Sequence, residues 1–150
     1  MADRTQPYGA FNFQVNFGGQ DPGSPIGGFS EVTGLSTEVT IAEYRVGNSK
    51  INHVQKIPGL HKVGDVTLKR GVISSKDLWE WIQQTRVQGP LAKRDVTITM
   101  LDETNTKVVQ TWTLGRAIPL KYTGPTLNAK GGTDVAMEEL VISAESVDSK

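Results

Sequence analysis

The chain has 150 residues, with 16 Lys plus Arg against 16 Asp plus Glu. Its formal net charge is zero, so it exerts no global electrostatic pull on nucleic acid or anionic membrane. There is no cysteine, which excludes disulfides, zinc–thiolate sites and thiol catalysis. The first residues lack a basic region followed by an apolar run, so no secretory signal is expected. No apolar run approaches the ~20 residues of a membrane-spanning helix. The length fits a single domain over 1–150.

Residues 11–17 read FNFQVNF. Phe11, Phe13, Val15 and Phe17 alternate with Asn12, Gln14 and Asn16, the period-two pattern of a half-buried strand. The polar face is uncharged amide, suited to solvent or to a hydrated channel. Residues 18–28 (GGQDPGSPIGG) are a turn cluster. Extended structure resumes at 29–32. Residues 35–46 predict a longer strand with apolar residues on both faces: Val39 and Ile41 on one, Ala42, Tyr44 and Val46 on the other. Residues 47–64 are polar, glycine-bounded and interrupted by Pro58–Gly59, which predicts a long loop. Both histidines, His53 and His61, lie there without a nearby carboxylate pair. They read as exposed or interface side chains rather than ligands.

Residues 65–72 (DVTLKRGV) predict a strand with Val66 and Leu68 inward. One helix follows. Ser74 or Ser75 can cap it, Asp77 sits in its first turn, and Leu78, Trp81, Ile82 and Thr85 share one stripe. Gly89–Pro90 ends it. Core packing is the expected role of Trp79 and Trp81, against stacking on a base or sugar. Residues 95–101 and 107–114 alternate on either side of a DETNT turn and predict a hairpin. Residues 115–134 read as irregular because of Pro119 and Pro125. The run 135–147 has helix-compatible composition, but its Val/Ile centre favours one long strand with Ala136, Leu140, Ile142 and Ala144 on one face. The sum is a mainly β domain: two packed antiparallel sheets forming a β-barrel or sandwich, with one flanking α-helix.

Catalysis needs convergent groups. No serine sits in a GxSxG elbow, and the carboxylates are scattered at element ends. Glu138 and Glu139 point to opposite faces of a strand, and no glycine stretch continues into the Lys-Ser/Thr of a P-loop. The chain is not expected to be an enzyme, and no catalytic residue, metal or cofactor is assigned. A monomeric ligand-binding β-barrel, with the helix as lid and the tryptophans as ligand contacts, is the alternative to the following reading.

The order of motifs is more specific than any one of them. F-x-E-V-T-G-L-S at 29–36 precedes E-Y-R-x-G at 43–47, K-I-P-G at 56–59, V-T-L-K-R-G at 66–71 and L-W-E-W at 78–81. R-D-V-T-I-T-M-L-D at 94–102, W-x-L-x-x-A-x-P at 112–119 and a terminal E-x-L-V-I-S-A-E complete the set. This series resembles the tail tube (inner tube) proteins of contractile phage tails and of phage-tail-like extracellular contractile injection systems, over residues 8–147. The resemblance implies hexameric rings stacked into a hollow tube, with one sheet continued around the lumen from subunit to subunit. It implies a sheath protein around the tube, baseplate and tail-terminator proteins at its ends, and cargo protein or phage DNA in its lumen. It also implies assembly in the bacterial cytoplasm and a place in a phage virion or injection particle, without membrane insertion by the chain itself. The type VI secretion tube shares this architecture. On this reading 34–47 is one arm of a long hairpin. Its tip, Asn48, Ser49, Lys50, Ile51, Asn52, His53, Val54, Gln55 and Lys56, reaches the neighbouring ring. Asn12, Gln14, Asn16, Thr97 and Thr99 are the candidates for the lumen lining.

Overall fold

The computed structural model describes residues 5–17, 29–72, 77–132 and 135–150. The strands are β1 (Phe13–Asn16), β2 (Glu31–Thr33), β3 (Thr37–Tyr44), β4 (Gln55–Val63), β5 (Val66–Gly71), β6 (Arg94–Leu101), β7 (Val108–Thr123), β8 (Met137–Ser143) and β9 (Ser146–Ser149). The helix α1 (Asp77–Gln88) continues into a 3-10 turn, Gly89–Ala92. Two antiparallel sheets share β7. Its first half lies between β6 and β9, and β1 flanks β6. Its second half pairs with β8, which leads on to β5 and β2. The sheets stack as a sandwich joined through this one strand, and the described strands do not close into a barrel.

The corner of β7 falls at Gly115–Arg116. Arg116 takes the left-handed backbone, φ 51°, and its N–H donates to Asp95 Oδ1 at 3.0 Å. Beside it the Glu145 N–H donates to the Gly115 carbonyl at 2.9 Å. Lys93 Nζ and Arg116 Nε reach the two Glu145 oxygens at 2.5 and 3.4 Å. The bend is thus bonded from both neighbouring strands.

Alternation works as the sequence predicts where one face is covered. Val15, Val96, Ile98 and Leu114 from the first sheet meet Val66, Leu68, Leu140 and Ile142 from the second, all buried. A helix of 12 residues is marginal alone. This one is held by Leu78 and Trp81, which enter the same cluster. The Trp81 ring lies 5.3 Å from Phe17, and its indole N–H donates to the Ala92 carbonyl at 2.9 Å. Gly89, at φ 58°, turns the chain out of the helix, as the Gly–Pro signal predicts.

Among the described residues, one oppositely charged pair is folded inside. Arg70 is 1% exposed and Glu138 7%. Arg70 Nε donates to Glu138 Oε1 at 2.5 Å, and Tyr122 Oη donates to Glu138 Oε2 at 2.8 Å. The guanidinium lies over the Phe29 ring at 5.4 Å. Donation to Glu138 raises the Tyr122 pKa above its ordinary value, with burial adding to the effect.

Five expectations are corrected. Trp79, expected in the core, is 47% exposed, while Trp81 is buried. The predicted loop 47–64 is only a turn, because residues 55–63 form β4. Pro58 is tolerated there because β3 and β4 form a sheet of two edges, and a register shift at Val39/Ile41 accommodates it. Residues 115–123, expected to be irregular, continue β7 through Pro119, again on a sheet edge next to a register shift. The terminal strand is two strands, because the chain follows β7 from the second sheet to the first and breaks at Ala144–Glu145. Phe11 stands outside β1 and is 68% exposed. The turn cluster 18–28 and the caps Ser74 and Ser75 lie outside the described residues.

Candidate assembly surfaces

The first surface is the outer face of the first sheet. Antiparallel partners share a face, so register fixes its composition. One row runs Gln14, Thr99, Thr111; the next runs Asn16, Thr97, Thr113 and on to Asp148 of β9. Five of these seven side chains are Thr or Asn, one is Gln, and charge enters only at Asp148. Four residues chosen from sequence therefore sit side by side. The fifth, Asn12, precedes β1, and its side-chain amide donates to the Asp102 carbonyl at 2.9 Å. Thr111 and Thr113 escaped the sequence-based choice, although the alternation read from the sequence already put them on one face of their strand. The edges of this sheet are β1 and β9. With each neighbouring pair antiparallel, β1 and β9 run in opposite directions.

The turn that joins β6 to β7 is held by Asp102. Its Oδ1 accepts from the Thr104 hydroxyl at 2.8 Å and from the Thr106 N–H at 3.1 Å. These bonds, the Thr106 N–H first, lower the Asp102 pKa.

The second surface is the arm formed by β3 and β4. Eight residues of β3 span about 26 Å. Neither strand has a fully buried residue. Ile41, Tyr44, Ile57 and Leu60 are about half exposed or more, while Glu38 faces Lys62 and Glu43 faces Lys56 across the strands. The arm leaves the body at Gly34, which has φ 89° and packs so closely on the Asp65 carbonyl that a Cβ would strike it. In the predicted tip, Asn48 and Lys50, Ile51, Asn52 and His53 are exposed, and Ser49 and Val54 are half-buried. Gln55 and Lys56 belong instead to β4, opposite Tyr44 and Glu43. His53 and His61 are both exposed on this arm. Among the described residues, no group of three His, Asp or Glu side chains is placed to hold a metal ion. No described helix is long and apolar enough to cross a membrane.

A sandwich with one filled side, one hydroxyl-rich side and a projecting arm matches a known family. The profile of the T4-like virus tail tube protein gp19 covers residues 9–148. The chain belongs to this tail tube family. Among solved structures, this tail tube protein is similar to a chain of the anti-feeding prophage cap (tube terminating cap), with 25% identity and a TM-score of 0.83 over 100% of this chain and 95% of that one. It is similar to a chain of the sheath–tube complex of the PVC extracellular contractile injection system in its extended state, with 27% identity and a TM-score of 0.83 over 97% and 93%. Hcp1 from Flavobacterium johnsoniae shares the fold at 14% identity, with a TM-score of 0.54 over 93% and 94%. A search of curated proteins found no match. The family role is structural, and the resemblance seen in the motif order holds at the level of family and fold.

Proposed function

We propose that this chain is the repeating subunit of the inner tube of a contractile tail or injection particle, built as stacked hexameric rings around a conducting lumen. One observation carries the reading. A four-stranded sheet has a filled inner face, a threonine- and amide-rich outer face, and two edges of opposite direction. Exposed edges template pairing with another chain. The β1 edge of one copy fits the β9 edge of the next, antiparallel, and six such heterologous contacts close a ring without a free edge. The hydroxyl face then lines the lumen, where it presents hydrogen bonds but little charge to a passing protein cargo or DNA. The arm, with apolar residues open on both sides, reaches the adjoining ring.

A sheath outside and a terminator at one end are supported by the similarity to sheath–tube and cap chains, and baseplate proteins complete the other end. Assembly takes place in the bacterial cytoplasm, and the product is part of a virion or of a particle released from the cell. The competing ligand-binding barrel finds little support. The space between the sheets is filled by packed side chains, where that reading needs an apolar cavity. Negative-stain microscopy with light scattering tests the proposal. Six-fold rings or hollow tubes of constant diameter are expected as concentration rises. A monomer at every concentration would overturn it.

A further inference from the structure

The motif E-Y-R-x-G spans residues 43–47. In the fold its arginine sits where β3 ends and the arm turns. Arg45 Nε donates to the Ile51 carbonyl at 3.3 Å, and Nη2 donates to the Ser49 carbonyl at 3.1 Å. The same turn closes on itself through Ser49. Its N–H donates to the Val46 carbonyl at 3.0 Å, and its hydroxyl accepts from the Ile51 N–H at 3.2 Å. One side chain thus gathers carbonyls from two residues of an exposed loop. Only a planar fork of donors does this, since a lysine ammonium has no such fixed geometry. The bonds leave Val46 and Ile51 facing outward, 47% and 54% exposed, at the far end of an arm that contributes nothing to the core.

We infer that Arg45 is the positioning residue of the arm tip: it presets a knob carrying Val46 and Ile51 that seats on a second copy of this chain in the adjoining ring. The inference rests on the tube reading above. A loop ordered before contact loses less conformational freedom on docking, so the arginine acts on stacking without touching the partner. Its action is placed between rings because, on the tube reading above, the β1 and β9 edges make the contact within a ring.

Three variants of the full chain test this: Arg45→Ala, Arg45→Lys and Ile51→Ser. In Arg45→Ala, amide exchange at Ser49 and Ile51 should quicken by about tenfold or more, while the unfolding midpoint of the sandwich stays unchanged. Its rings should form normally, but tubes at equal concentration should be about tenfold shorter or absent. Arg45→Lys should not rescue tube length. Ile51→Ser should keep the slow exchange and still lose stacking, which separates the shape of the knob from its contact. Wild-type tubes together with Arg45→Ala tubes of equal length would overturn this inference alone. Loss of rings in Arg45→Ala would move the residue to the lateral contact and also overturn it. A wild-type chain that forms neither rings nor tubes would overturn the tube reading, and this inference with it.

Discussion

Arg70 and Glu138 illustrate what a single residue pair does in this molecule. Removing one partner leaves the other charged, buried and unanswered, whereas replacing both with apolar groups of similar volume removes the desolvation cost as well. Glu138→Leu alone should lower stability by about 3–5 kcal/mol, and Arg70→Met with Glu138→Leu should recover most of that loss in urea unfolding. Tyr122 shares the cluster, and the sign of its effect follows from its raised pKa. Its contribution is complete below the ordinary tyrosine value and is lost only as pH climbs through the higher folded value.

Asp102 and Glu145 behave in the opposite sense. The Thr106 N–H and the Lys93 ammonium, respectively, are the main groups holding their pKa values below the ordinary 3.8 and 4.5. Their stabilisation is therefore present above those ordinary values and disappears as pH falls through the lower folded ones. The melting midpoint should drop on acidification below about pH 4, and Asp102→Asn should flatten that drop. An unchanged slope in Asp102→Asn would show that the Asp102 turn contributes nothing to the titration.

At the scale of elements, Gly34 controls how the arm leaves the body. Its positive φ and its approach to the Asp65 carbonyl both reject a side chain. Gly34→Ala should cost about 1–3 kcal/mol in denaturant unfolding. Elements with one dry and one wet face were legible in the sequence. The β6–β7 hairpin, the inward set of β5 and the Leu78/Trp81 stripe all follow from periodicity, because burial on one side enforces it. Elements that break the alternation rule were not. Pro58 and Pro119 suggested breaks, yet both sit on edge strands where a missing N–H costs no ladder bond. The two-faced arm has no covered side in the monomer to discipline its pattern. The burial of Arg70 with Glu138 was not legible, because sequence does not show that each would answer the other, 68 residues apart. Of the candidate lining, Gln14, Asn16, Thr97 and Thr99 were legible as alternating polar positions. Their adjacency required the register.

For the whole molecule, assembly and folding should respond to different changes. Deleting residues 49–53 should leave the sandwich's melting midpoint in place and shorten tubes in electron micrographs. Tubes of normal length would remove the tip from the ring-to-ring contact. Thr99→Arg should leave rings intact and disturb cargo loading, whereas loss of rings would place Thr99 at a subunit interface.

The strand β7 sets how the chain comes apart. Its 16 residues supply one ladder or more to each sheet. Neither sheet keeps a complete ladder once the other has melted, so the sandwich should lose its structure in one cooperative event. The arm shares no strand with that unit and should fray independently, at lower denaturant. A free subunit would then consist of a rigid body and a loosely held limb, and ring stacking would be the step that gives the limb the stability of the body.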